Sequence, residues 1–478
     1  MKVLLISTYE LGRQPFGLAS PAAWLREAGH DVACQDLSQE RLNPDRVHEA
    51  QLICFYLPMH TATRIALAAI HRVRALNSDA HLCCYGLYAP VNADLLRSHG
   101  VETILGGEFE EELVALADRL SIAEHGTGRA SGRAENNEKQ NRVSVPAANA
   151  AIPKLHFITP DRAGLPSLSK YARLKLASGE ERVVGYTEAS RGCRHLCRHC
   201  PVVPVYNGAF RIVQRDVVLE DIRRQVAAGA QHITFGDPDF FNGPSHAIAI
   251  VETLHHEFPT LSYDVTIKIE HLLKFAEHLP VLRSTGCAFV TTAVESVDDQ
   301  VLALLEKGHT HTDFVRVVGL MRHAGLPIAP TFIPFTPWTT LESYAELLRT
   351  IAELDLTENV APVQLAIRLL IPSGSRLLEV PEVRDRIGEF DRELLSYRWR
   401  NRDARVDELQ QDVESAVAQA GREGLTRAGT FDRVWQLANN PQGGWEDGRI
   451  ANSAPINAYD PVLAARATIP YLTEPWYC

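Results

Sequence analysis

The sequence predicts an α/β protein in three parts: an N-terminal Rossmann-like doubly wound domain, a partial (βα)6 TIM-type barrel and a mostly helical C-terminal extension. Two series of short apolar segments alternate with helical patterns, and a polar stretch lies between the two series. Such alternation favours parallel sheets covered by helices. We therefore expect one domain at residues 1–120, a flexible linker at 121–165, the barrel at 166–378, and an extension that ends in a cysteine at 379–478.

The first domain is predicted from five apolar segments, which read KVLLIST, DVACQDL, AQLICFYLP, HLCCYGLY and VETILGG. The next stretch, EHGTGRASGRAENNEKQNRVSVPAANAA, has too little apolar surface to offset the entropy of ordering, so we expect it to be flexible. Five cysteines of the chain lie in or beside apolar segments, where free cysteines usually pack in a core. These are Cys34, Cys54, Cys83, Cys84 and Cys287.

The barrel is predicted from six strands, which read VVGYTEA, QHITFGD, SYDVTIKI, GCAFVTTAVES, IAPTFIPF and VQLAIRLLI. Its chemistry should lie where the carboxyl ends of these strands meet their loops. After Leu378 we expect helices in the charged segments RDRIGEFDRELLSYRWR and RVDELQQDVESAVAQAGREG.

Composition argues against several classes of protein. The 48 basic and 59 acidic residues give a net charge of −11, which disfavours a general nucleic-acid surface or an anionic membrane surface. Apolar runs are shorter than the roughly 18 residues of a membrane span, and the segment MKVLLISTYE becomes polar too early for a secretory signal. We therefore expect a cytoplasmic protein with no membrane and no nucleic-acid partner.

Three of the nine cysteines, Cys193, Cys197 and Cys200, follow the first barrel strand in the segment GYTEASRGCRHLCRHCPVVPVY. Three thiolates on one loop can bind three irons of a four-iron cluster and leave the fourth iron open to a small molecule. A structural zinc site needs four ligands, so zinc fits this pattern poorly even with His195 and His199 nearby. Three arginines beside the motif either offset the charge of the cluster or are solvated: Arg191, Arg194 and Arg198.

This segment resembles the radical S-adenosylmethionine (SAM) superfamily, whose members carry CxxxCxxC after the first strand of a partial barrel. The resemblance covers roughly Val183 to Leu378. It implies a [4Fe–4S] cluster on the three cysteines and SAM on the open iron. One electron from an external donor, such as a flavodoxin or a ferredoxin, then cleaves a carbon–sulfur bond of SAM. The usual product is a 5′-deoxyadenosyl radical, which would modify a small-molecule substrate.

The resemblance also assigns residues that bind SAM. In ITFGDPDFF, Asp237 is the natural acceptor for the ammonium group, Gly236 and Pro238 shape the backbone, and Asp239 is a second candidate. The alternative for Asp237 is a cap of the following loop or helix.

In AVESVDDQ, Glu295 and Ser296 correspond to the ribose-binding position, although Glu295 could instead pair with a lysine or cap a helix. Lys268 of the third strand is a candidate for the carboxylate of SAM or for a substrate anion, unless it is solvated.

The sixth strand supplies the remaining candidates. The segment RLLIPSGSRLL stands where the backbone of the superfamily contacts adenine, and Ile371, Pro372 and Gly374 are the candidate residues. Arg368 lies in an otherwise apolar strand, so it either binds substrate or a carboxylate, or it is paired inside the fold.

The N-terminal segments MKVLLISTYELG, PAAWLREAGHDV and ILGGEFEEELVALA resemble the cobalamin-binding domain that precedes the barrel in many of these enzymes. The usual DxHxxG loop is replaced by STYELGRQPFG, so the histidine that would bind cobalt is missing. The domain either binds cobalamin without that histidine or is a scaffold that binds none, and the missing loop slightly favours the scaffold.

A narrower resemblance covers most of the chain and includes FIPFTPWTT, DVTIKIEHLL and the ending EPWYC. These segments look like the CUAEP/CCAEP-tail radical SAM proteins, and Cys478 occupies the first position of that tail. If the tail folds back, Cys478 could bind a thiophilic substrate, deliver an electron or form a redox pair. Otherwise it is an exposed thiol.

The sequence therefore predicts a radical SAM enzyme that acts on a small molecule. One alternative function keeps the fold but transfers the 3-amino-3-carboxypropyl group of SAM to a soft acceptor such as arsenite. The thiol tail is the only sequence feature that supports this alternative. A second rival is a non-catalytic sensor of cobalamin or a metal, which the barrel pattern around the cysteines disfavours.

Overall fold

The protein is described by a computed structural model that covers residues 1–126, 155–439 and 470–473. The predicted α/β class is confirmed. Two separate sheets carry most of the strands, and helices cover both of them.

The first sheet contains five parallel strands in the order β2-β1-β3-β4-β5. The strands are β1 Lys2–Ser7, β2 Asp31–Asp36, β3 Leu52–Tyr56, β4 His81–Tyr85 and β5 Thr103–Leu105. The helices are α1 Phe16–Glu27, α2 Pro44–Glu49, α3 His60–Leu76, α4 Tyr88–Val91, α5 Ala93–Ser98 and α6 Glu110–Gly126. Because β2 lies on one side of β1 and β3 lies on the other, the order in which strands are added to the sheet reverses between β1 and β3. Ligands of open α/β sheets usually bind at such a point.

Each face of this sheet has its own apolar core. Leu18 and Leu25 of α1 pack with α6 on one face, and Ile70 of α3 packs on the other. Cys83 and Cys84 lie in opposite cores and are fully buried, as the alternation of side chains along a strand requires. All five cysteines assigned to packing are buried.

The second sheet is curled and has the order β13-β12-β11-β10-β7-β6-β16. Its strands are β6 Arg173–Lys175, β7 Glu181–Thr187, β10 His232–Phe235, β11 Ser262–Thr266, β12 Cys287–Glu295, β13 Ile328–Phe332 and β16 Tyr471–Leu472. The strands from β7 to β13 are parallel, whereas β6 and β16 join one edge in antiparallel fashion. A small hairpin beside this sheet pairs β8 Ser190–Gly192 with β9 Phe210–Ile212.

Helices alternate with these strands. They are α7 Val203–Tyr206, α8 Arg215–Ala227, α9 Pro244–Glu257, α10 Ile269–Lys274, α11 Leu279–Ser284, α12 Asp299–Leu304, α13 His311–His323 and α14 Leu341–Glu353. Most of these helices pack on the barrel core, whereas α7 packs beside Cys193. Thr310 begins α13 with a capping box, since its hydroxyl accepts from the backbone of Asp313 and the Asp313 carboxylate accepts from the backbone of Thr310.

The sixth predicted strand differs from expectation. Pro362–Leu365 form a 3-10 turn, and the only ladder contact of this segment among the described residues is a parallel bridge between Phe335 and Arg368. The backbone of Ile371 bonds instead to Ser396 and Tyr397. The curled sheet is therefore a half-barrel of five parallel strands, because the C-terminal extension takes the hydrogen bonds that a sixth strand would need.

The extension is also less helical than predicted. RDRIGEFDRELLSYRWR forms α15 Pro381–Arg384 and a hairpin of β14 Ile387–Asp391 with β15 Ser396–Trp399, before α16 Ala404–Glu423 and α17 Arg427–Asn439. The prediction of a helix across this segment is wrong, because the Asp391 carboxylate accepts from the backbone of Glu393 and Leu394 and closes a turn there.

Two predicted boundaries also move. Helix α6 continues to Gly126, past the expected domain end at 120. The predicted linker 121–165 is in part packed structure, because Phe157 is buried in the barrel core and Arg162 pairs with Asp221 at 2.9 Å. Its middle, residues 127–154, lies outside the described residues, and so does Cys478.

Candidate active site

The three cysteines of the motif lie on a loop that begins where β7 ends, and we call residues 188–202 the cysteine loop. The hairpin of β8 and β9 holds its first half. Gly192 has a φ of +75°, and a Cβ atom there would lie 2.5 Å from the Tyr206 ring and 2.6 Å from the carbonyl oxygen of Ala209. Only glycine suits this position, where the backbone turns to present Cys193.

The thiols of Cys193, Cys197 and Cys200 converge at the carboxyl edge of the half-barrel. Cys193 and Cys197 are buried, and Cys200 is half-buried. Burial, together with the charges of Cys197 and Cys193, raises the pKa of Cys200 to about 12. Lys268 places its ammonium group 3.6 Å from the Sγ atom of Cys197. Three clustered thiols beside one cation suit an iron–sulfur cluster, whose thiolate ligands carry negative charge.

A ring of charged side chains surrounds Cys193. Asp239 has a carboxylate oxygen 2.7 Å from His271 and 3.3 Å from His195. The other ring nitrogen of His195 lies 3.2 Å from Glu270. Although burial favours the neutral acid, His195 and His271 lower the pKa of Asp239. The ligand atoms of Cys193, His195 and Asp239 lie within 4.8 Å of one another, but a zinc ion there would use only one of the three thiols.

Asp237 and Gly236 fix the start of the cysteine loop. The Asp237 carboxylate is buried and accepts from the backbone of Ala189 at 2.9 Å and from the hydroxyl of Ser190 at 2.5 Å. Gly236 donates its backbone N–H to Thr187, and a Cβ atom there would lie 1.7 Å from the Tyr186 hydroxyl. Both oxygens of Asp237 thus hold the loop, and Pro238 follows on the wall of the cavity described below.

Glu295 stands at the end of β12 with a φ of +69°, a conformation that non-glycine residues rarely adopt. Its carboxylate oxygen lies 3.1 Å from His199 and 3.2 Å from Lys307. Burial favours the neutral acid, but Lys307 and His199 lower the pKa of Glu295 to about 2. The carboxylate is therefore held ionised beside the thiols. Ser296 follows it and accepts from the backbone of Asp298.

Of the other predicted residues, Lys268 lies at the site beside Cys197, whereas Arg368 is paired away from it. Lys268 is buried, not solvated, and pairs with Glu270 at 2.8 Å. Arg368 is paired inside the fold with Asp407 at 2.7 Å and lies 3.5 Å from the centre of the Trp399 ring.

The adenine candidates lie on the turn that follows Arg368. Ile371 is buried with its backbone bonded to the C-terminal hairpin, and Pro372 accepts from the backbone of Ser375. Gly374 is exposed, and the Ser375 hydroxyl donates to the carbonyl oxygen of Arg198 on the cysteine loop. The turn therefore contacts the loop directly.

A cavity of about 160 Å³ lies between the two sheets beside this site, and we call it the interdomain cavity. Residues that follow β1, β3, β4 and β5 line one side, and residues that follow β7 and β10 line the other. Glu10 and Tyr56 belong to the first side, and Glu188 and Tyr186 to the second.

Arg191 ties the cysteine loop to the first domain and is buried, not solvated. Its guanidinium lies 2.7 Å from Glu110, 2.8 Å from Glu188 and 3.0 Å from Glu108. It also stacks 4.9 Å from the centre of the Phe157 ring. The cysteine loop and the first domain therefore share one buried ion network.

Sequence reasoning missed the partners that complete the site. Lys307 and His271 approach the predicted residues only after the chain has folded, and Glu10 follows the first strand of the other sheet. The signal that could have found them is position, since each lies just after a predicted strand or in the next loop.

No helix among the described residues is long and apolar enough to cross a membrane.

Comparisons with known proteins agree with this geometry. The model of the protein family described as "Radical SAM superfamily" matches residues 187–351 of this chain. The hopanoid C-3 methylase of Methylococcus capsulatus is 24% identical over 345 residues, which cover 70% of this chain and 64% of that protein. A tRNA-2-methylthio-N(6)-dimethylallyladenosine synthase of Geobacter sulfurreducens is 25% identical over 210 residues, which cover 40% of this chain and 46% of that protein. The chain thus spans less than two thirds of both relatives.

Two solved structures share the fold. The radical SAM methyltransferase TsrM of Kitasatospora setae, with tryptophan and a SAM analogue bound, has a TM-score of 0.58 at 19% identity, over 74% of this chain and 71% of that chain. The cobalamin-dependent SAM radical enzyme OxsB, with aqua-cobalamin bound, has a TM-score of 0.65 at 14% identity, over 88% of this chain and 67% of that chain. The family match, together with three clustered thiols at the edge of the half-barrel, assigns residues 187–351 to the radical SAM superfamily.

Proposed function

We propose that the protein is a radical SAM enzyme that cleaves SAM reductively and modifies a small molecule. The observation that carries the proposal is the convergence of three buried or half-buried thiols with the ionised Glu295 and with Lys268 at one edge of the half-barrel. Cys193, Cys197 and Cys200 would hold a [4Fe–4S] cluster. When bound, the cluster supplies one electron to the sulfonium of SAM.

The residues of the chain prepare this site by charge and position. Lys268 and Lys307 are buried cations that offset the negative charge of thiolate ligands. Glu295 offers a carboxylate that can accept from the hydroxyls of a ribose, since a pKa of about 2 keeps it ionised at neutral pH. Asp237 acts on the cofactors by holding the cysteine loop, and Asp239 offers a second carboxylate next to Cys193.

Two features of the first sheet support a scaffold without cobalamin. Arg13 and Glu10 line the interdomain cavity after β1, where the family loop carries its cobalt-binding histidine, and the described cavity lining contains no histidine. The space between α1 and the sheet is filled, because a Cβ atom on Gly17 would lie 2.2 Å from the Tyr56 ring, and Tyr85 donates to the carbonyl oxygen of Gly17. We therefore derive no step through cobalamin.

The narrower assignments are proposals as well. The strand order supports a Rossmann-like first domain, and the quoted motifs support the CUAEP/CCAEP-tail group with a role for Cys478. Ser296, Ile371, Pro372 and Gly374 are proposed contacts of the nucleoside. A small molecule is the proposed substrate. The tRNA-modifying relatives make a nucleic acid the competing substrate class, which substrate trials must include.

The test is anaerobic reconstitution with iron and sulfide, followed by SAM, dithionite and mass analysis of the nucleoside. We expect a four-iron absorption and EPR signal and the formation of 5′-deoxyadenosine. Cys197→Ala should lose both, whereas Cys287→Ala, which changes a buried cysteine of β12, should keep both.

Two outcomes would contradict the proposal. An intact cluster in Cys197→Ala would mean that the thiols do not bind iron. The formation of 5′-methylthioadenosine in place of 5′-deoxyadenosine would favour transfer of the 3-amino-3-carboxypropyl group.

A further inference from the structure

Two charged side chains follow β11 and meet beside the cysteine loop. Lys268 comes directly before α10, and Glu270 is the second residue of that helix. The Nζ atom of Lys268 donates to the Oε2 atom of Glu270 at 2.8 Å and lies 3.6 Å from the Sγ atom of Cys197. In the described part of the chain these are the two hydrogen-bond partners of the ammonium group. The ammonium is therefore held between one carboxylate and one thiol.

The two charges differ in their access to water. The Lys268 side chain is 7% exposed, whereas the Glu270 side chain is 36% exposed. A buried ammonium is costly unless an anion is paired with it, and water at this exposure does not take the place of Glu270. Solvent also screens the carboxylate more than the ammonium. Of the two charges, the ammonium therefore acts more strongly on a group bound at Cys197.

Two further contacts fix the direction of the Glu270 carboxylate. Gly308 faces it with a φ of +75°, and a Cβ atom there would lie 2.6 Å from the carboxyl carbon and from both oxygens. The Nδ1 atom of His195 lies 3.2 Å from the Oε2 atom. Burial favours the neutral acid, but the contacts with His195 and Lys268 lower the pKa of Glu270 to about 2. The carboxylate is therefore ionised and confined where Lys268 meets it.

We propose that Glu270 is a positioning residue, which holds the ammonium group of Lys268 against Cys197 and so raises the reduction potential of the cluster. This inference rests on the proposed function, in which Cys197 is a ligand of that cluster. Reduction adds negative charge, and a cation that donates to a ligand sulfur stabilises the reduced form. Glu270 contacts Lys268 and His195 rather than a thiol, so it acts through a neighbouring side chain, and Lys268 is the one that donates to a thiol.

The direction of the effect separates this role from that of a simple charge. A carboxylate that acts only by its own charge disfavours the reduced cluster, so its removal raises the potential. If Glu270 instead holds Lys268, its removal releases the ammonium toward water and lowers the potential. Because the ammonium donates to Cys197 and is screened less than the carboxylate, we expect the fall to exceed the rise.

The experiment measures the midpoint potential of the cluster in the reconstituted full-length protein, by EPR during a dithionite titration without SAM. Leaving SAM out removes any contact between Lys268 and that molecule. We expect Lys268→Met and Glu270→Ala each to lower the potential. The double variant with both substitutions should be no lower than Lys268→Met alone, since no ammonium is left for Glu270 to hold.

Two variants serve as controls. Glu270→Gln keeps an oxygen that can accept from Lys268, so it should not lower the potential. Glu277→Ala removes the same charge at an exposed position of the next helical turn and should leave the potential unchanged. If Glu270→Ala does not retain the cluster, Gly308→Ala is measured in its place and the same fall is expected, because the added Cβ atom displaces the carboxylate but keeps its charge.

The proposal is overturned if Glu270→Ala raises the potential or leaves it unchanged, or if the double variant is lower than Lys268→Met. Loss of the cluster from Glu270→Gln, or from both Glu270→Ala and Gly308→Ala, would also overturn it, because Glu270 would then be needed to build the site rather than to place Lys268. Failure of the proposed function would appear separately, as potentials that follow the expected order in a protein that forms no 5′-deoxyadenosine.

Discussion

Replacing Arg191 with methionine removes the guanidinium that Glu108, Glu110 and Glu188 share in the buried network between the cysteine loop and the first domain. Methionine keeps part of the packing against Phe157, but it leaves Glu108, Glu110 and Glu188 without their common cation. The Arg191 side chain is only 8% exposed, so water cannot take its place.

The expected cost follows from this burial. Breaking a buried ion pair by removing one partner costs about 3–5 kcal/mol, because the remaining charge is left uncompensated. We therefore expect Arg191→Met to lower the free energy of unfolding by about 3–5 kcal/mol. Adding Glu110→Gln should recover part of the loss, since one of the uncompensated carboxylates is then neutral.

The assay is urea unfolding followed by circular dichroism, with iron content after reconstitution as a second readout. Arg223→Met is the matched control, because Arg223 also pairs with a glutamate at 2.7 Å but is 42% exposed. An exposed pair is worth about 1 kcal/mol or less. If Arg191→Met is no more destabilising than Arg223→Met, or if Glu110→Gln worsens the loss, the reasoning about the buried network is refuted.

Three further predictions concern single residues. Burial raises the pKa of Glu188 from 4.5 to about 7, so the folded protein binds this proton more tightly than the unfolded chain does. The free energy of unfolding should therefore fall by at most about 3 kcal/mol as the pH rises from 4.5 through about 7. Glu188→Gln should lack this fall in urea unfolding at pH 4.5 and 7.5, and an unchanged slope would contradict the assignment. Glu295→Gln should weaken the binding of SAM measured by calorimetry, while the absorption of the cluster persists. Glu353→Gln, at an exposed position, should change neither. If Glu295→Gln binds SAM as tightly as the unchanged protein does, Glu295 is not part of the SAM site. Arg368→Leu should cost about 1–3 kcal/mol through loss of its hydrogen bonds to Asp407 and to the carbonyl of Trp399, with the nucleoside product unaltered; a stable variant that no longer cleaves SAM would make Arg368 a ligand.

The shared loop of the three cysteines could be predicted because their spacing is local, and the loop after β7 is set by Gly192 and the β8–β9 hairpin. The position of Glu295 beside the cysteine loop was predictable because strand ends of a parallel sheet meet at one edge. Its partner Lys307 was not, since that contact depends on the path of the loop after α12.

The misses have one physical origin, which is contact between segments far apart in the chain. Arg191 looks like a solvated charge beside a motif, and only packing of the first domain buries it. The sixth barrel strand and the predicted helix after Leu378 both fail for a related reason, because Ile371 bonds to Tyr397 of the hairpin. Local apolar or charged patterns do not report such pairings.

The short strand β16 has a consequence for the solution behaviour of the protein. It pairs with β6 at the edge of the curled sheet, and Leu472 packs on Leu174 and Phe289. An uncovered edge strand offers free N–H and C=O groups to other chains. Residues 470–473 therefore act as a cover for that edge, and a chain shortened before residue 470 would expose β6 and tend to self-associate through it.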